Sequence, residues 1–169
     1  PRSAPAQSRP DPITLIGGLD GTGSYDRLDE ARRQLGDLIE KAPPGSDFIG
    51  RWISGDSYAA GNTIVSGSLP EAAVTPTNPF DRREKARVAT QAEATEKAKK
   101  HLIQAIERAP SPRAKATDIF GLLAFASEVA RRNHGRRVVV AMATDLRNNV
   151  NRYRHDVGAD TLAAADVIL

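Results

Sequence analysis

The run Val138-Val139-Val140-Ala141-Met142-Ala143 constrains this chain more than any other segment. It is unbroken and apolar, and its first half is β-branched. No polar residue interrupts it at alternate positions, so neither face of such a strand can meet water. Strands buried on both faces belong to parallel sheets, whose crossover helices cover the two sides. The rest of the sequence must therefore supply helices for two faces.

Residues 13–19 read as a short apolar strand. Tyr25, Leu28, Ala31, Leu35, Leu38 and Ile39 then recur at helical spacing, up to the stop at Pro43-Pro44-Gly45. Residues 48–54 make a second strand, 55–62 a loop and 63–66 a short third strand. Residues 70–79, with three prolines, read as a connector. Residues 81–109 predict a long charged helix. Its apolar face, Ala98, Leu102, Ile103, Ala105 and Ile106, lies only in the second half. Between 82 and 100 it carries seven Lys or Arg against three Glu, the composition of a solvated face. Pro110-Ser111-Pro112 breaks the chain. Residues 117–132 predict a helix apolar almost all round and hence largely buried. After 138–143 come a polar loop at 148–158, a short helix at 160–165 and a last strand at 167–169. Strands alternating with helices imply an α/β fold: a doubly wound, Rossmann-like, mostly parallel sheet with helices on both faces.

A length of 169 residues suits one domain with a real core, expected over 13–169. Residues 1–12, rich in proline and without an apolar segment, read as a flexible linker. The final residues look like a strand only begun, as if the chain were cut near its last strands. No apolar run approaches the ~18 residues of a membrane span. Zero cysteines exclude disulfides and thiolate metal sites. The net charge of +3 is too diffuse to argue for nucleic-acid binding. None of this selects a compartment or an oligomeric state.

In such sheets ligands bind beyond the carboxyl ends of strands. Asp20 and Asp145 both stand there. Asp20, Thr22 and Ser24 follow at i, i+2 and i+4, and alternate side chains of an extended turn point the same way. Three oxygens can thus converge, with Gly21 and Gly23 letting the backbone bend. Hard divalent cations favour such ligands. Thr117, opening the buried helix, is a fourth candidate and Asp145 a fifth. Plainer readings exist: Ser24 and Thr117 are each good helix caps. The spacing of Gly18, Gly23 and Ser24 also mimics a phosphate loop, which would make this a nucleotide- or phosphate-handling α/β enzyme. The lysine that loop needs is replaced by Gly23. His101, His134 and His155 show no metal-ligand spacing. Arg147, Arg152, Arg154 and His155 form a basic loop beside Asp145, either solvated or a rim that attracts an acidic partner. Asp56, Ser57 and Tyr58 follow the second strand and are expected on the same rim.

With these residues the chain resembles a von Willebrand factor A domain carrying a metal-ion-dependent adhesion site. The first motif of that family, Asp-x-Ser-x-Ser, is matched by Asp20-Gly21-Thr22-Gly23-Ser24. Its Thr before a buried helix is matched by Thr117, and its Asp closing an apolar strand by Asp145. Departures are Thr22 and Thr144 in place of Ser, and the long charged helix. The resemblance implies a three-layer α/β/α domain and a bound Mg²⁺, with Mn²⁺ or Ca²⁺ as substitutes. Thr22 and Ser24 would ligate directly, Asp20 and Asp145 largely through water, and Thr117 by either route. An acidic side chain of a protein partner would complete the shell, with no bond made or broken and no nucleic acid involved.

Overall fold

The computed structural model describes residues 10–73, 80–133, 135–147 and 150, and the backbone of 165–168. Its elements are β1 (Ile13–Asp20), α1 (Leu28–Lys41), β2 (Asp47–Ile53), a 3-10 turn (Ala60–Asn62), β3 (Thr63–Ser68), α2 (Arg82–Arg108), α3 (Ile119–Arg132), β4 (Arg137–Ala143) and β5 (Ala165–Ile168). They form one sheet in the order β3-β2-β1-β4-β5. Every pairing is parallel except β2 with the edge strand β3.

The two-sided burial expected of the valine run is observed. Val139 and Ala141 of β4 join Leu15 and Leu19 of β1 in a core shared with Leu35 and Ile39 of α1 and Leu102 and Ile106 of α2. Val138, Val140 and Met142 point the other way, with Ile16, onto Ile119, Leu122 and Ala126 of α3. Helices thus cover both faces, and β1 and β4 lie between them. Gly17 and Gly18 let the layers close on β1. A Cβ at Gly17 would stand 2.6 Å from the Leu35 side chain, and one at Gly18 2.4 Å from that of Leu122.

Several boundaries differ from expectation, each for a local reason. The first helix starts at Leu28, not Tyr25, and Arg27 precedes it with no side-chain cap. Residues 21–27 are instead spent as a loop, in which Tyr25 packs on the core from outside the helix. The third strand runs to Ser68, because its antiparallel pairing with β2 continues to Asp47. The long helix is capped by Asp81, which accepts from Arg83 N–H (2.8 Å) and Glu84 N–H (3.4 Å). Its buried residues, Thr95, Lys99, Leu102 and Ile106, run from its midpoint onward. The helix expected at 117–132 begins at Ile119, and Phe120 on it is exposed. The expected polar loop at 148–158 lies almost wholly outside the described residues, as do 1–9 of the expected linker. So does the expected helix at 160–165, except Ala165, which opens β5.

Candidate metal centre

Asp20 ends β1 and is only 1% exposed. Burying a carboxylate is costly unless its charge is met. Neutral donors meet it. Oδ1 accepts from the Thr22 N–H (2.9 Å) and from the Thr22 hydroxyl (2.7 Å). Oδ2 accepts from the Thr144 hydroxyl at 2.8 Å. Among the described residues no Lys, Arg or His forms an ion pair with Asp20. The Thr22 hydroxyl lies 3.3 Å from that of Ser24. The structure therefore brings Asp20, Thr22 and Ser24 together in one hydrogen-bonded chain, running from a buried carboxylate to an exposed hydroxyl.

The turn is not held by glycine freedom. Positive φ at glycine occurs among the described residues only at Gly45 and Gly135, so Gly21 and Gly23 bend without it. A neighbouring segment clamps the turn instead. Thr22 bridges Ala114 in parallel fashion. Ala114 N–H donates to Gly21 O at 2.8 Å, and Gly23 N–H to Ala114 O at 3.4 Å. Gly21 N–H donates to Ile53 O at the end of β2, at 2.9 Å. This also tells against a phosphate loop. Such a loop presents free backbone N–H groups to the anion, and those of Gly21, Thr22 and Gly23 are already committed to the protein.

Thr117, three residues beyond the clamp at Ala114, is buried. It is not the cap of α3. Asp118 is, accepting from Gly121 N–H at 2.9 Å. Nor does Ser24 cap α1, because three residues separate it from Leu28 and Arg27 holds the cap position. Asp118 also accepts from Ser57 N–H (3.3 Å) and donates its own N–H to Ser54 O (2.8 Å), tying the loop after β2 to the start of α3.

That loop is built from inside by Arg51, which is fully buried. Its guanidinium lies 3.9 Å from the centre of the Phe125 ring. It donates to Ser57 O (2.9 Å), Ala59 O (2.6 Å) and the Thr63 hydroxyl (2.8 Å). Burial lowers its pKa, and the Asp56 carboxylate opposes that shift. Ser57 is buried as well. Of the expected rim, then, Ser57 serves the interior. Tyr58 turns to α3, where its hydroxyl donates to Glu128.

Asp145 follows β4, and its side chain is 45% exposed. Its carboxylate accepts from Arg147 N–H at 3.0 Å and faces the Arg147 guanidinium at 3.7 Å. No hydrogen bond joins it to Asp20 among the described residues. The link from that loop to Asp20 is Thr144, one of the two positions where Thr stands in place of Ser. β1 and β4 pair in parallel with Leu19 opposite Ala143, so the next residues, Asp20 at the end of β1 and Thr144 just past β4, stand side by side. Of the basic loop, Arg147 is exposed, and Arg152, Arg154 and His155 lie outside the described residues.

The donors fit a hard cation. Among the described residues no three His, Cys, Asp or Glu side chains gather at one point, so a soft metal finds no thiolate or imidazole cage here. The hydroxyls offer neutral oxygens beside one buried charge. Octahedral Mg²⁺ at ~2.1 Å from each ligand holds adjacent ligands ~3.0 Å apart. Thr22 and Ser24 stand 3.3 Å apart, so a few tenths of an ångström separate them from that edge.

No family model and no curated protein sequence matches this chain. Solved structures do. Proximal thread matrix protein 1 from the mussel byssus superposes with a TM-score of 0.56 at 16% identity, over 96% of this chain and 38% of that one. The fold is of the von Willebrand factor A type. A second structure of the mussel protein, described as having a zinc-occupied adhesion-site motif, superposes with a TM-score of 0.55 at 15% identity, covering 93% of this chain and 37% of that one. A von Willebrand factor type A protein from Catenulispora acidiphila reaches a TM-score of only 0.41 at 12% identity, over 77% of this chain and 25% of its own, and carries no weight. This chain thus spans less than two-fifths of the mussel protein it matches. Among its described residues, no helix is long and apolar enough to cross a membrane.

Proposed function

We propose that this chain is a divalent-cation-dependent protein-binding module that makes and breaks no covalent bond. Mg²⁺, or Mn²⁺ or Ca²⁺ in its place, binds at Asp20, Thr22, Ser24, Thr117 and Asp145. One observation carries the reading. Among the described residues a carboxylate 1% exposed has no protein cation beside it, and it orients the buried Thr22 hydroxyl next to the exposed Ser24. Because the Thr22 hydroxyl donates its hydrogen bond to Asp20, the lone pairs of that hydroxyl are left for a cation.

A site with two carboxylates and three neutral hydroxyls leaves a divalent ion electrophilic, and Mg²⁺ keeps several waters that a stronger ligand can replace. An acidic side chain of a protein partner is the ligand proposed. The zinc described at the adhesion-site motif of the mussel protein lends support by analogy of fold.

Titration calorimetry of Mn²⁺ or Mg²⁺ into the protein, with Asp20→Asn as control, tests the proposal. A saturable single-site heat that the variant lacks is expected. Equal heats from both proteins contradict it.

A further inference from the structure

Resting on that cation-binding reading, we infer that Thr144 is a positioning residue, locking the carboxylate of Asp20 and the turn that carries Asp145 into one unit. Its hydroxyl is used twice. It donates its one proton to Asp20 Oδ2 at 2.8 Å. It accepts from Leu146 N–H at 3.3 Å. Asp145 lies between the two residues so tied. Leu146 has a φ of 59°, a left-handed conformation uncommon in a side chain of its kind, and the bond to Thr144 holds it there.

The count of lone pairs explains what the lock does. An ionised carboxylate has about four acceptor positions. Thr22 fills two, both on Oδ1, and Thr144 fills one on Oδ2. One position on Oδ2 remains. Thr144 therefore fixes which lone pair Asp20 can turn toward an ion or its bound water. Without that hydroxyl, Oδ2 is buried with no donor among the described residues. The carboxylate can then turn about its bond, and the Thr22 hydroxyl it orients turns with it. The same loss frees the loop of Asp145 from β1. A hydroxyl that served only its own turn would touch Leu146 and not Asp20.

Thr144→Val keeps the β-branched shape and removes the hydroxyl; Thr144→Ser keeps the hydroxyl. Binding is read from the electron paramagnetic resonance signal of free Mn²⁺. The thermal midpoint without metal and the amide shift of Thr22 report the metal-free state. Support lies in Mn²⁺ affinity about 10–100-fold weaker in Thr144→Val, with Thr144→Ser restored to within about threefold of the parent. The Thr22 amide should move in Thr144→Val and not in Thr144→Ser. Parental affinity in Thr144→Val, or equal weakness in both variants, overturns the role of Thr144 alone. No Mn²⁺ binding by the parent overturns the cation reading together with it. If Thr144→Val does not fold, Thr144→Ala is read in its place. Failure of both to fold assigns the hydroxyl to stability and overturns the inference.

Discussion

The Thr22 hydroxyl donates to Asp20 Oδ1 at 2.7 Å, and the Thr22 backbone N–H donates to the same oxygen at 2.9 Å. One residue thus supplies two of the three donors that the buried carboxylate has among the described residues. The hydroxyl has no choice of direction, since its proton faces inward and its lone pairs face Ser24. Thr22→Val removes that donor at nearly constant volume. It should abolish cation binding and, with the buried charge short of a partner, cost about 1–3 kcal/mol in the metal-free protein. Urea unfolding and calorimetry read the two effects. Thr22→Ser should retain both properties, and a Ser variant as impaired as Val would contradict the role given to the hydroxyl.

Among the described residues Arg147 is placed to compete with a cation for Asp145. The pair is exposed and its guanidinium stands 3.7 Å from the carboxylate. Exposed pairs are worth up to about 1 kcal/mol, so Arg147→Gln should raise Mn²⁺ affinity by at most about fivefold, and the gain should shrink in high salt. A loss of affinity in this variant would show that Arg147 assists rather than competes.

Gly121 is tied to the site through the cap of α3. A Cβ there would stand 2.1 Å from Asp118 Oδ2 and 3.1 Å from Tyr58 N. Both groups are fixed, one as the cap and one in the loop that Arg51 holds. Gly121→Ala should destabilise the protein by about 1–3 kcal/mol through overpacking and damage to the cap. A denaturant midpoint equal to that of the parent would show that the loop yields freely.

Tyr58 and Glu128 shift each other. The hydrogen bond to the Glu128 carboxylate, with some burial, raises the Tyr58 phenol above its ordinary value of 10.0. The same bond lowers Glu128 below 4.5, helped by Arg132 and opposed by burial. The signs follow from which form each partner needs. Tyr58 contributes stability below pH 10 and loses it as pH rises through its folded pKa. Glu128 contributes above pH 4.5 and loses it as pH falls through its own. Ultraviolet titration should find Tyr58 ionising late, and Glu128→Gln should bring it back toward 10.0. An unchanged titration would place the cause elsewhere. Tyr25 must be resolved from it, since burial and the Asp20 charge raise that phenol too.

The parallel sheet was legible because the valine run at 138–140 leaves no polar face, and the cap positions failed because they are decided by packing. Ser24 is a better cap by composition than Arg27, which the fold uses at α1, whereas Asp118 at α3 is a better cap than Thr117. Yet residues 21–27 are held as a loop by Ala114 and Ile53, and Asp118 stands one residue nearer α3. The i, i+2, i+4 spacing found Asp20, Thr22 and Ser24 because their convergence is local. Thr144 escaped notice because its role depends on β1 and β4 ending level, a property of register. Arg51 escaped for a related reason: no sequence pattern says that an arginine will be drawn under a ring and used to shape a loop.

The most direct measurement is anomalous diffraction from crystals soaked in Mn²⁺. The account predicts one peak within bonding distance of both Thr22 Oγ1 and Ser24 Oγ, beside Asp20. A well-ordered turn with no peak there, or a peak held elsewhere on the protein alone, would contradict it.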